Sequence, residues 1–382
     1  MASGRDRWIT ARAKRRLRAA RYWYFIGDLD EAARAGQHAL ELARTVQANA
    51  VQTNSAQPLL LAEIALLVAR TEQGRDNYAA GFTHLTYALS QLESMAGTDA
   101  GDRLLTWTLI GLGENHRRVG RYPQAIETLH GAIRLADAVA QPKALSAALT
   151  ERGITAKELS EFDHAAELYA RVREIHRESG ASDADSATLE HNLSGLEYAR
   201  KQYSQAESHA RQALARRRQV SGVSEVDVAA DLAVLAATIA AQHRHDEARE
   251  MFEQALRAGQ AARPPRRYEI AVHLHGLADL DHSSGRADRA ETRYREALAL
   301  KEELLGTDHP EVGLVAANLG TLLDEQHRGE EAAVLYQRAL TIAEQTFGPD
   351  HSRSLALRDK LHRLSNPRPR FAAPPTKLIK PS

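Results

Sequence analysis

The densest run of potential metal ligands is His273-Leu274-His275-Gly276-Leu277-Ala278-Asp279-Leu280-Asp281-His282. His275, Asp279 and His282 stand at i, i+4 and i+7, so a helix would carry two imidazoles and a carboxylate on one face, a donor set suited to zinc or nickel. The competing reading is a polar wall in a chain that holds 17 histidines. We adopt the wall, and expect neither a metal nor a cofactor. With no cysteine in the chain, disulfides, zinc–thiolate sites and thiol catalysis are excluded. Walker and dinucleotide glycine patterns, G-x-S-x-G and H-E-x-x-H are all missing from the sequence. Acid pairs such as Glu302/Glu303 and Glu330/Glu331 have the spacing of exposed helix faces. The chain is therefore expected not to be an enzyme.

Composition points the same way. Hydrophobic residues make up 43% of 382, enough for a sizeable core, while aromatics are only 5% and Ala and Leu abound. That mix suits close-packed helices rather than sheets. Fifty basic residues balance fifty acidic ones, which gives no global attraction to nucleic acid, and a nucleic-acid partner is not expected. No run of about 18 apolar residues could span a bilayer, and the N-terminus lacks the apolar core of a signal peptide, so a cytoplasmic location is expected. Arg exceeds Lys about fivefold, as expected of a GC-rich genome, and a bacterial source is expected.

The elements that would position any site come from an internal repeat. Ala20/Ala32, Ala69/Gly81, Gly113/Ala125, Gly153/Ala165, Ser194/Ala206, Ala236/Ala248, Ala278/Ala290 and Gly320/Ala332 are pairs of small residues, always twelve positions apart. Successive pairs drift in spacing at first and settle to 42 residues. A fixed offset inside a variable period describes a rigid antiparallel helix pair with adjustable connections. In the sixth copy, residues 226–242 read as the first helix and the segment from Ala248 as the second, with Asp246 expected as its N-cap. The second helices repeat Ala-x3-aromatic-x2-Ala, as in Ala290/Tyr294/Ala297 and Ala332/Tyr336/Ala339, which puts all three residues on one face. Pro58, Pro142, Pro264, Pro265, Pro310 and Pro349 fall between copies, and Pro123 opens a second helix. Residues 48–57 are polar and are expected to form a loose loop.

These residues resemble the tetratricopeptide repeat family. Val119-Gly120-Arg121-Tyr122-Pro123-Gln124-Ala125 matches its turn and second helix, and Leu305-Gly306-Thr307-Asp308-His309-Pro310 with Asn318-Leu319-Gly320 is similar to its kinesin-light-chain branch. The resemblance covers about residues 10–365. It implies an all-α fold: a right-handed α-solenoid of about eight antiparallel helix pairs plus a C-terminal capping helix, less regular over 10–100 and regular from about 180. It also implies a concave groove lined by the first helices. Carried onto this chain, the inward positions are Arg18, Arg21, Tyr24, Glu63 and Arg70; then Trp107, Glu114, Arg117, Glu151, Lys157, His191, Asn192 and Tyr198; then His275, Asp279, His282, Asn318 and Asp324. The sixth copy offers only Ala233, Val234, Ala237, Ala240 and Ala241, a bare step open either to a bulky ligand side chain or to the superhelix closing on itself.

Two flanking segments stand outside the repeats. Residues 1–9 open a basic stretch that runs through Arg12, Lys14, Arg15, Arg16 and Arg18 to Arg21, with Trp8 and Tyr22–Phe25 nearby; it reads as a solvated capping helix, with contact to nucleic acid or anionic lipid as the alternative. The tail over 366–382, rich in Pro and basic residues, is expected to be disordered. The expected function is a non-catalytic scaffold whose groove binds a protein or peptide partner. A sensor that changes superhelical pitch around a short signalling peptide, and a metal-binding protein or enzyme, are the alternatives. Partner identity and oligomeric state are not legible at this level.

Overall fold

The structure, a computed structural model, describes residues 4–49 and 56–366. The described residues form seventeen α-helices and one short 3-10 turn, with no strand among them. The chain divides into two compact units, residues 1–309 and 310–382.

The first unit contains seven helix pairs. These are α1 (Gly4–Phe25) with α2 (Leu29–Asn49), α3 (Ala56–Gly74) with α4 (Tyr78–Leu92), α5 (Asp99–Arg118) with α6 (Tyr122–Ala138), and α7 (Pro142–Glu158) with α8 (Phe162–Ser179). They continue as α9 (Asp183–Ala199) with α10 (Tyr203–Arg217), α11 (Glu225–Ala240) with α12 (His245–Ala261), and α13 (Arg267–Ser283) with α14 (Ala287–Leu305). Each helix packs on the next, and each odd helix also touches the following odd helix as far as α13. The side on which non-adjacent helices meet is the shorter one, so the odd helices line the concave face of this unit. The second unit holds α15 (Pro310–Glu325), α16 (Gly329–Phe347) and α17 (Ser352–Ser365), each packed on its neighbour.

The invariant offset of twelve has a local cause. Between the two helices of every pair, one residue has a left-handed backbone: Gly27, Asp76, Gly120, Ser160, Lys201, His243, Gly285 and His327, with φ between 62° and 83°. It lies seven positions after the first small residue and five before the second. The next N–H always reaches back five residues, as Asn77 N to Glu72 O and Gln202 N to Glu197 O, both 2.8 Å. This is a Schellman closure, and it occurs in all eight copies. It stops the first helix and starts the second at one fixed register, so the small residues always meet.

Why they must be small is visible at Gly153, where an added Cβ would stand 2.4 Å from the Tyr169 ring, and at Gly113, where it would stand 2.5 Å from Leu129. Tyr169 and Tyr294 are fully buried and fill the space that the small residues leave. Ser194 fits the same site differently, its hydroxyl donating to Ala206 O at 2.8 Å.

Some local expectations need correction. Asp246 lies in the first turn of α12 but does not cap it; Arg244 is the N-cap and makes no side-chain capping bond. Caps of the expected kind occur elsewhere: Asp28 and Asn77 inside their pairs, and Thr98, Ser182 and Ser224 between copies, accept from the backbone N–H three residues on. Residues 4–9 are continuous with α1 rather than a separate lead. Of the expected loop at 48–57, Ala48 and Asn49 end α2 and α3 begins at Ala56; residues 50–55 lie outside the described residues, as does the tail from 367.

Candidate functional site

The first unit encloses a cavity of about 710 Å³ on its concave side. Odd helices supply most of its wall. Tyr24 comes from the end of α1, Arg70 and Gln73 from α3, Trp107, Glu114 and Arg118 from α5, Ser146 and Glu151 from α7, and Thr188 from α9. Arg70 and Gln73 stand three apart on α3, and Trp107, Glu114 and Arg118 follow at seven and four on α5, which is why one face of each helix can reach the same space. The Arg70 guanidinium lies 5.0 Å from the centre of the Trp107 ring. Arg118 lies 5.0 Å from the Tyr268 ring, and its Nε is buried without a hydrogen bond.

Charge in this wall is unevenly compensated. Arg117 is 7% exposed, with Nε 3.1 Å from Glu151 and a terminal nitrogen 3.0 Å from Glu158. Desolvation alone would lower its pKa, but the two carboxylates outweigh that and hold it above the ordinary arginine value. Glu114 lies 3.9 Å from Arg118, with the charges of Arg117 and Arg70 also acting on it. Burial, and then repulsion from Glu151, push its carboxyl above the usual range. Glu269, from α13, brings an oxygen that is buried and makes no hydrogen bond. A wall with an unbonded guanidinium edge, an unbonded carboxylate oxygen and an open tryptophan face offers donors, acceptors and stacking area together.

Glu269 reaches this cavity because the unit closes on itself. The Tyr268 N–H donates to Asp76 Oδ2 at 3.0 Å, and Arg266 donates to the carbonyl of Gly74. Asp76 thus caps the start of α13 from 192 positions away, at a helix whose own N-cap, Arg266, makes no capping bond. Phe25 approaches Gly222 in the same region. Burial, then the nearby Glu269, raise the Asp76 carboxyl to about 6.

The expected groove residues separate into groups. Tyr24, Arg70, Trp107, Glu114 and Glu151 line the cavity. Arg21 and Glu63 form an exposed ion pair, and Arg18 is exposed on α1. Arg117 and Asn192 are almost completely covered, Asn192 with its amide bonded to Thr188 O at 2.9 Å, which leaves them little surface for a ligand. Lys157 lies against Gly195. His191 Nδ1 sits 2.8 Å from Asp231, which Arg217 also reaches at 2.9 Å. Tyr198 is exposed and meets the Tyr203 ring.

His275, Asp279 and His282 gather around Tyr294. Its hydroxyl donates to Asp279 Oδ1 at 2.5 Å, and both imidazoles pack on its ring. Among the described residues, no three His, Asp or Glu side chains converge as a metal-holding group. In the second unit, Asn318 and Asp324 lie on α15, and Lys360 of α17 donates to Thr321 of the same helix at 2.5 Å.

Sequence reasoning missed Asp76, Arg118, Tyr268 and Glu269. Arg118 had a signal, standing four residues after Glu114. The others had none, because nothing in a 42-residue repeat announces which distant copy it will touch.

The tetratricopeptide repeat family model matches residues 185–261, 228–303 and 269–345. No curated protein matches the sequence. Among solved structures, the fold is similar to a Rap conjugation gene regulator of plasmid pLS20 in complex with the Phr* peptide: TM-score 0.61, 13% identity, 89% of this chain and 96% of that one. It is similar to a Rap protein complexed with competence and sporulation factor, at TM-score 0.60 and 12% identity over 95% and 98%. It also resembles the apo quorum sensor NprR of B. thuringiensis, at 0.59 and 15% over 86% and 87%. At these identities the likeness is one of fold. No described helix is long and apolar enough to cross a membrane.

Proposed function

We propose that this chain, which belongs to the tetratricopeptide repeat proteins across residues 185–345, is a non-catalytic scaffold that binds an extended peptide on the concave face of its first unit. One observation carries the reading. The 710 Å³ cavity combines the Trp107 face, the Arg70 and Arg118 guanidinium groups, the Glu114 carboxylate and the unbonded Glu269 oxygen. Peptide backbone presents alternating donors and acceptors, and such a wall meets both. The peptides named with the similar Rap structures make the same ligand class reasonable here. The protein is read as acting in the cytoplasm, where peptide segments of other proteins are at hand.

A second reading has its own support. The contact of Asp76 and Gly74 with residues 266–268 joins segments 192 positions apart beside the same cavity. A ligand that binds the closed and open arrangements unequally would shift the balance between them. The protein would then be a sensor rather than a static scaffold.

The test is affinity capture of partners from the native host, followed by calorimetry with the recovered peptide. Trp107→Ala and Arg70→Ala are each expected to weaken binding by roughly tenfold, the loss of one stacked or charged contact, with unchanged helicity. Binding that survives both changes would place the ligand elsewhere. A ligand-induced change in the scattering profile would select the sensor.

A further inference from the structure

The outward face of α1 is built unlike that of a solvated cap. Its buried residues Ile9, Ala13, Leu17 and Ala20 define the side turned to the core. At 100° per residue, the line directly opposite runs through Ala11, Arg15, Arg18 and Tyr22, with Trp8 about 45° to one side. Trp8 is 56% exposed and Tyr22 59%. Two large aromatic groups therefore stand exposed among cations on this face. Trp8 and Tyr22 are about 21 Å apart along the axis, at 1.5 Å per residue. Arg7, Arg12, Lys14, Arg15 and Arg18 occupy the same half of the helix, and the helix's one acid, Asp6, lies on the other half. Arg12 stands 5.4 Å from the Trp8 ring, leaving its charge at the outer surface.

We propose that this face of α1 docks the protein on a bilayer surface rich in anionic phospholipid. A helix face that carries Trp8, Ala11 and Tyr22 together with Arg15 and Arg18, and no acid, matches a plane that is apolar just beneath an anionic layer. Trp and Tyr settle at that boundary because one end of each side chain is apolar and the other polar. The cations are drawn to lipid phosphates. Single-stranded nucleic acid also takes aromatic rings and arginines, but it needs rings spaced for successive bases, and Trp8 and Tyr22 stand about 21 Å apart. The surface is separate from the concave cavity, so this inference does not depend on the peptide reading.

The experiment is flotation of the full chain with vesicles of phosphatidylcholine alone or with about one-third phosphatidylglycerol, at roughly 0.1 M salt, where exposed charges still act over about 10 Å. Binding to the anionic vesicles, loss on neutral ones and release at high salt are expected. Arg15→Gln with Arg18→Gln should weaken binding by roughly fivefold for each charge removed. Trp8→Ala with Tyr22→Ala should weaken it by about tenfold. Circular dichroism establishes that both variants stay folded, which their exposure favours. A protein that ignores both vesicles, or variants that bind like the parent, would overturn the proposal. So would tight binding of an oligothymidylate with none to vesicles.

Discussion

His273 is 2% exposed on α13, and its Nδ1 is buried without a hydrogen bond. Desolvation is the cause that lowers its pKa, to about 4 from an ordinary 6.5. The folded protein therefore holds His273 neutral where the unfolded chain would take up a proton. Its contribution is complete above pH 6.5 and is lost as the pH falls toward 4. Replacement by Gln, which cannot titrate, is expected to flatten the fall in melting temperature across that window. An unchanged acid limb would show that His273 stays neutral in both states or charges without cost. The same helix shows why spacing alone misleads. His275 and His282 share a face with Asp279, yet all three turn to Tyr294, whose hydroxyl meets the carboxylate at 2.5 Å.

The helix pair is the element repeated along the chain, and its turn keeps one backbone conformation while its residues vary. Five of the eight left-handed positions hold residues other than glycine. Each carries a conformational penalty of about 1–2 kcal/mol, partly offset because glycine would loosen the unfolded chain by roughly 0.5–1 kcal/mol. Lys201, with φ 62° and an exposed side chain, is the clearest of them. Lys201→Gly is expected to stabilise the protein by roughly 0.5–1 kcal/mol in denaturant unfolding, the difference between those two effects. Equal or lower stability would mean that the lysine side chain contributes more than its exposure suggests.

At the scale of the first unit, the decisive contact is between Asp76 and the start of α13. Asp76 faces Glu269, Arg266 and Arg118, and burial followed by Glu269 raises its carboxyl to about 6 from 3.8. A raised carboxyl binds its proton more tightly in the folded state. Its contribution is full below pH 3.8 and is lost as the pH rises through 6. Asp76→Asn keeps an acceptor for the Tyr268 N–H without a charge. The stability gap between parent and variant should therefore move in favour of the variant from pH 4 to pH 8. A gap that is constant across that range would show that Asp76 is solvated in the folded protein. This trend opposes that of His273, so the two single variants separate what the parent's pH profile adds together.

Repetition made the helix pairs legible. The twelve-residue offset, the small residues and the aromatics that fill against them are short-range facts, fixed by hydrogen bonds within five residues and by contacts across one turn. Asp246 was misjudged as a cap because Asp fits a cap by type, while the position was set by the left-handed residue at His243. Tyr24, Arg70, Trp107 and Glu114 could be nominated from sequence because the resemblance to tetratricopeptide repeats carries that family's inward positions onto them. Their meeting around one cavity, the burial of Arg117 between Glu151 and Glu158, and the arrival of Glu269 beside Asp76 could not. Local rules determine each pair in this chain. Which pairs meet after 192 residues depends on small rotations accumulated over five copies, and only the tertiary structure sums them.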